Sequence, residues 1–281
     1  MWKSFTHPYR GALTAVAALT VLVGCSTEQP ASAPTSPGSV PVPEVPTVTL
    51  TPALDHLHGL HLGADGTILA GTHTGLVTLG VDGRTTRIGT SDDDFMGLIG
   101  VPGTDRLFAS GHPGPSSSAP NPLGLIDSTD GGRTWTPKSL VGEVDFHALA
   151  TDGKVLVGFD GTTGLLVSTD AGATWSTGAP LAAAALSVTD DGVWAATADG
   201  LQHSADSART FTAVPEAPTL VLLSAAGDGS LWGVDTEGAA WRSHTGRTWE
   251  QKAVVGPVEA LLAVDADTAY AATAQQLYIL E

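Results

Sequence analysis

After residue 25 the apolar residues fall in short runs broken by Gly, Asp, Ser and Thr, and no stretch keeps a helical period. One set of runs comprises Leu57 to Leu62, Phe95 to Val101, Phe146 to Ala150, Ala184 to Val188, Thr219 to Ser224 and Glu259 to Val264. A second set opens on a Gly-Leu-like step: Gly75-Leu76, Gly124-Leu125, Gly164-Leu165, Gly200-Leu201, Gly238-Ala239 and Gln276-Leu277. The step returns about every 38 residues, with one longer gap of 49 between its first two occurrences. Such a unit cannot bury both faces alone and must stack on its neighbours.

The turn that follows the second set repeats as well. Ser128-Thr129-Asp130-Gly131-Gly132-Arg133-Thr134-Trp135 has the form S-x-D-x-G-x-T-W and returns as Ser168-Thr169-Asp170-Ala171-Gly172-Ala173-Thr174-Trp175. Residues 204–211 replace the Gly with Ala208 and the Trp with Phe211, residues 243–249 are one residue short, and residues 78–85 keep only a worn version. Ser128, Asp130, Gly132, Trp135, Ser168, Asp170, Gly172 and Trp175 are expected to be structural. The carboxylate accepts N–H groups of its own turn, Gly permits positive φ, and Trp offers an apolar plate to a neighbouring unit. The expected fold is all-β: a six-bladed β-propeller over residues 48–281, four strands to a blade, with these Asp-box turns between strands three and four. The chain ends on a third strand at residues 277–281, so Val48 to Thr51 is expected to pair with it as the missing fourth strand and close the ring.

Before the repeats lie two segments of other character. Residues 1–24 combine a basic start (Lys3, Arg10) with an apolar stretch from Gly11 to Val23 and lead into Leu22-Val23-Gly24-Cys25, the pattern of a signal peptide ending in a lipobox. Cys25, the one cysteine, is the expected lipidation site, leaving no sulfur for a disulfide or a thiolate metal site. Residues 25–47 are the lipidated Cys and a Pro/Ser-rich tether which, extended, would hold the domain roughly 65 Å from a bilayer. The expected location is the extracytoplasmic face of the cell membrane, and the expected state a monomer. A net charge of −17, and −19 without residues 1–24, argues against nucleic acid.

Propeller geometry places the starts of the inner strands and the loops after the second strands on one rim, opposite the Asp-box turns. Blades one to three put His56, His58, His73, Asp94, Met96, His112, Asp145, His147 and Asp160 there, whereas blades four to six put mainly Ala, Leu, Val and Thr, with Asp199, Asp235, Glu237 and Glu259 as acidic exceptions. Imidazoles with a carboxylate suit zinc or copper, and a thioether favours copper. The candidate metal ligands are therefore His58, His73, His112, His147, Met96 and Asp145. His56, His58, Phe95, Phe146 and Asp160 are candidate contacts for a small ligand, glycan or protein. Asp94, Asp145 and Asp160 are the weak candidates for paired catalytic carboxylates. The Pro/Ser-rich loop 112–122 accounts for the longer gap and reads equally as a lid over the rim or a solvated insertion.

With its Asp boxes, the chain resembles the BNR propellers, which include sialidases, sortilin-type receptors and photosystem assembly factors of the Ycf48 kind. It looks closest to bacterial lipoproteins labelled glycosylhydrolase or exo-sialidase, through His56-Leu57-His58-Gly59-Leu60, Asp94-Phe95-Met96-Gly97, Ser110-Gly111-His112-Pro113 and Asp145-Phe146-His147-Ala148-Leu149. That label implies glycoside hydrolysis. The sialidase mechanism, however, asks for three arginines on the substrate carboxylate, a Tyr–Glu nucleophile pair and an Asp acid/base. Here Arg133, Arg209 and Arg247 lie in the turns of the opposite face, and beyond the signal segment the tyrosines are Tyr270 and Tyr278, both in the last blade. The reading that follows is a lipid-anchored propeller that binds a ligand, metal or protein at its His/Asp-rich rim. The alternatives are a glycoside hydrolase and a structural assembly platform.

Overall fold

The computed structural model describes residues 45–281; the signal segment, Cys25 and the tether up to residue 44 lie outside them. The described chain is all strand and turn. Strand β1 (Thr47–Thr49) precedes blade 1, formed by β2 (Leu57–Leu62), β3 (Ile68–Thr72), β4 (Gly75–Leu79) and β5 (Thr85–Ile88). Blade 2 is β6 (Asp94–Gly100), β7 (Leu107–His112), β8 (Leu125–Ser128) and β9 (Thr136–Ser139), and blade 3 is β10 (Ala148–Thr151), β11 (Leu156–Phe159), β12 (Leu165–Ser168) and β13 (Ser176–Thr177). Blade 4 is β14 (Ala185–Thr189), β15 (Gly192–Thr197), β16 (Gly200–Ser204) and β17 (Thr212–Ala213). Blade 5 is β18 (Leu220–Ala225), β19 (Leu231–Asp235), β20 (Ala239–Ser243) and β21 (Glu250–Val254). Blade 6 takes β22 (Ala260–Ala263), β23 (Ala269–Ala272) and β24 (Gln276–Leu280) from the end of the chain and β1 from its start. Every blade is an antiparallel meander, and the six make a β-propeller.

Closure follows the sequence expectation, with the pairing strand one residue earlier and shorter. Thr47 faces Tyr278, Val48 faces Leu277 and Thr49 faces Gln276. Leu50 N–H then donates to Gln275 O (2.8 Å), and the Leu50 side chain is buried between blades 6 and 1 with Leu57, Leu262 and Leu277. The same segment reaches blade 1, where Thr85 Oγ1 donates to Pro52 O (2.8 Å).

The core is divided among the blade boundaries. Six apolar clusters each join two successive blades, as in Leu69 and Leu76 of blade 1 against Phe95, Leu98 and Leu107 of blade 2. The repeated turns fasten these boundaries. In the first, Ser128 Oγ donates to Asp130 Oδ1 (2.9 Å) and accepts Gly132 N–H (2.9 Å), while Asp130 accepts Thr134 N–H (2.9 Å) and Thr134 Oγ1–H (2.7 Å). The turn at residues 168–174 repeats all four bonds. The threonine hydroxyl and the turn's N–H groups hold the Asp170 carboxyl down to about 2. Gly132 has φ of 82°, and a Cβ there would run into the Leu76 side chain of the preceding blade. Trp135 packs on Phe95 and Trp175 on Phe146, with ring centroids 4.9 Å apart in each pair.

Candidate metal centre

Three inner strands begin with the same four-residue pattern: His56-Leu57-His58-Gly59, Asp94-Phe95-Met96-Gly97 and Asp145-Phe146-His147-Ala148. The second residue is the anchor. Leu57, Phe95 and Phe146 are fully buried, so the residues on either side of each must emerge at the rim. The fourth residue is small because successive inner strands approach closely. A Cβ on Gly97 would lie 2.5 Å from Phe146 O. Register shifts at Leu57/Gly59 in β2 and at Asp94/Gly97 in β6 add a residue at the mouth of each strand and re-aim His58 and Met96.

This arrangement brings His56, His58 and His73 together, with one donor atom from each lying within 4.8 Å of the others. The His56 and His73 rings stack at 5.1 Å, and the His58 ring stands edge-on to both at 4.7 and 4.6 Å. Carboxylates from the adjoining blades flank them. Glu259 of blade 6 places Oε2 3.0 Å from His56 Nδ1 and accepts Leu57 N–H at 2.8 Å. Asp94 of blade 2 places Oδ2 2.9 Å from His73 Nδ1 and Oδ1 3.5 Å from His58 Nε2. Asp94 Oδ1 is buried without a hydrogen-bond partner, an expensive condition for a carboxylate oxygen facing imidazoles unless a cation completes the site. Burial, with help from His56 and His73, outweighs the pull of Asp94 and Glu259 and lowers His58 to about 4, so its imidazole is neutral at pH 7 with a lone pair for a ligand bond.

The other expected ligands form a second group. Asp145 Oδ2 lies 3.3 Å from His112 Nε2 and 3.2 Å from His147 Nε2. The six residues expected to share one metal are thus divided: His58 and His73 gather with His56 about Asp94, and His112 and His147 about Asp145. Met96 is half-buried in the β6 bulge.

Phe95 and Phe146, expected as ligand contacts, do not reach the rim: both are fully buried, packed against Trp135 and Trp175. Asp160 is engaged in its own turn, accepting Thr162 N–H, Thr163 N–H and the Thr163 hydroxyl at 2.7–2.9 Å. Burial pushes its carboxyl up, but these bonds outweigh that and hold it below the usual range. It is poorly suited to ligand contact or acid/base work. The sequence shows Glu259 only as an acidic residue, because its place beside His56 depends on blade 6 standing next to blade 1. Nothing in the sequence marks Asn121, whose Oδ1 lies 2.8 Å from His112 Nδ1.

Loop 112–122 is fastened along its length. Gly114 N–H donates to Asp93 Oδ1 (2.9 Å), and Ser116 Oγ and N–H donate to Asp92 at 2.6 and 3.1 Å. Beneath the rim the inner strands enclose a cavity of 930 Å³ whose lining includes His58, His61, His147 and Glu259.

No protein-family model matches the chain, and no curated protein matches it. Among solved structures it is similar to a GH74 enzyme of Niastella koreensis, with a TM-score of 0.58 and 17% identity over 78% of this chain, which spans only 41% of that one. It is also similar to virginiamycin B lyase of Staphylococcus aureus (TM-score 0.55, 14% identity, 84% of this chain and 98% of that one) and to YCF48 bound to a D1 peptide (0.55, 14%, 86% and 99%). The likeness is one of fold. At these identities three propellers of different function share an architecture and nothing finer.

Proposed function

We propose that this chain is an extracytoplasmic binding protein that takes up a divalent transition metal, zinc or copper, at His56, His58 and His73. Asp94 is the fourth donor and Glu259 supports His56 from behind. The buried, unpartnered Asp94 Oδ1 beside three converging imidazoles carries the reading. Imidazole and carboxylate donors suit these metals, and outer carboxylates orient ligating histidines. The turns and the resemblance of the rim segments fit an Asp-box propeller of the lipoprotein group, anchored through Cys25 at the outer face of the cytoplasmic membrane. Titration calorimetry with Zn²⁺ and Cu²⁺ tests the site: the wild type binds, and His58→Ala/His73→Ala loses the share of the heat that belongs to this site while keeping its melting temperature within a few degrees. Equal binding by the double variant would overturn the assignment. For the anchor, Cys25→Ser should abolish lipid labelling; continued labelling would remove that part of the reading.

A further inference from the structure

We propose that His112, His147 and Asp145 hold a second divalent cation beside the first, across the boundary between blades 2 and 3. The proposal extends the metal-binding reading to a separate set of donors, and its test is arranged so that the two can fail independently.

The His112 imidazole is oriented by the loop that follows it. Asn121 Oδ1 is an acceptor, so the 2.8 Å contact requires His112 Nδ1 to carry the hydrogen. The ring's other nitrogen, Nε2, is turned toward Asp145 Oδ2 at 3.3 Å. His147 Nε2 approaches the same oxygen at 3.2 Å. Ligands held about 2.0–2.1 Å from a tetrahedral zinc stand about 3.3 Å apart, the separation found for both pairs. Asp145 Oδ1 is buried with no hydrogen-bond partner, the same condition as Asp94 Oδ1 in the first group.

The framework around these donors is fixed. Phe146 N–H, between Asp145 and His147, donates to the fully buried Ser110 hydroxyl of β7 at 2.8 Å. Ser110 stands two residues before His112 on that strand, so one hydrogen bond sets blade 3's ligands relative to blade 2's. His147 N–H is bonded to Phe159 O (2.9 Å). The two groups are neighbours because Asp94 and His112 are direct cross-strand partners in β6 and β7. The repeat has thus placed an acid at the start of an inner strand against a histidine at the end of the preceding blade's second strand twice: His73 with Asp94, and His112 with Asp145.

The test is Zn²⁺ stoichiometry on the full chain, by equilibrium dialysis and elemental analysis. The wild type should hold two ions per chain, His112→Ala/His147→Ala one, and His56→Ala/His73→Ala one. One ion in the wild type, unchanged in His112→Ala/His147→Ala, would overturn this proposal and leave the first site standing; two ions retained in that variant would also overturn it. No ion in the wild type would remove both sites. Co²⁺ loaded into His56→Ala/His73→Ala should give the intense visible absorption of a low-symmetry four-coordinate site, and Asp145→Asn in that background should abolish it. Its absence from a folded protein would count against the donor set.

Discussion

His61 provides a test of how burial controls stability. It lies on β2 at the position that carries Ser187 in blade 4 and Ser224 in blade 5, all facing the inner strand of the next blade. Ser187 Oγ donates to Leu223 O and Ser224 Oγ accepts Ala263 N–H, whereas His61 Nε2 is buried without a partner. Its ring lies against Gly100, leaving no room for a side chain there. Burial lowers His61 from the ordinary 6.5 to about 4. The folded pKa is below the unfolded one, so between these values the unfolded chain binds the proton more readily. The stability tied to the neutral ring is whole above pH 6.5, declines as the pH falls through that value and is gone below about 4. A difference of roughly two to three pH units amounts to about 3 kcal/mol over the window, most of which is lost by pH 4.5. His61→Phe keeps an aromatic ring against Gly100 and cannot titrate. At pH 7 the two proteins should differ by at most about 1–2 kcal/mol, since removing an unpaired nitrogen offsets imperfect packing. Urea unfolding from pH 7.5 to 4.5 should show the wild type losing about 2–3 kcal/mol more than the variant. Parallel curves would mean that His61 is protonated as easily folded as unfolded, and would refute the burial argument.

Two further outcomes follow from the packing. Deleting residues 47–52 should lower the melting temperature of the whole domain, because it removes the β1–β24 pairing and the buried Leu50; deleting residues 26–44 should not, and equal effects by calorimetry would contradict closure by β1. Phe146→Ala should cost about 3–5 kcal/mol in urea unfolding, since that fully buried ring supports Trp175; a loss under 1 kcal/mol would show that Phe146 is not a keystone of the boundary.

The repeat made the architecture legible. Gly-Leu steps mark the third strands, and the inner strand Leu57–Leu62 is legible to its end residues because two periodicities, the strand's and the blade's, agree there. His56, His58, His73 and Asp94 were legible as rim residues for the same reason. Their grouping was not, because sequence order says which loops share a rim but not which side chains cross a blade boundary. Glu259 illustrates this: remote from His56 along the chain, it becomes its neighbour only through closure of the ring. Phe95 and Phe146 failed differently. Their proximity to polar residues suggested exposure, but alternation along a strand sends adjacent side chains to opposite environments, and the aromatic ring was the one that went inward.

The pairing of β1 with β24 also fixes an order of events. During synthesis β1 emerges before the other described strands, yet its partner at Gln276–Leu280 emerges after all of them. Strand pairing within blades 1 to 5 is local, so each of these can pair its strands as its residues become available and stack on the blade before it. The boundary that buries Leu50 must await the synthesis of β24, when blades 6 and 1 meet. Until then the growing array carries an unpaired edge at each end, the feature that makes slow, non-local β assembly vulnerable to association with other chains. A nascent chain stopped before residue 276 would therefore have most of its blades and no ring.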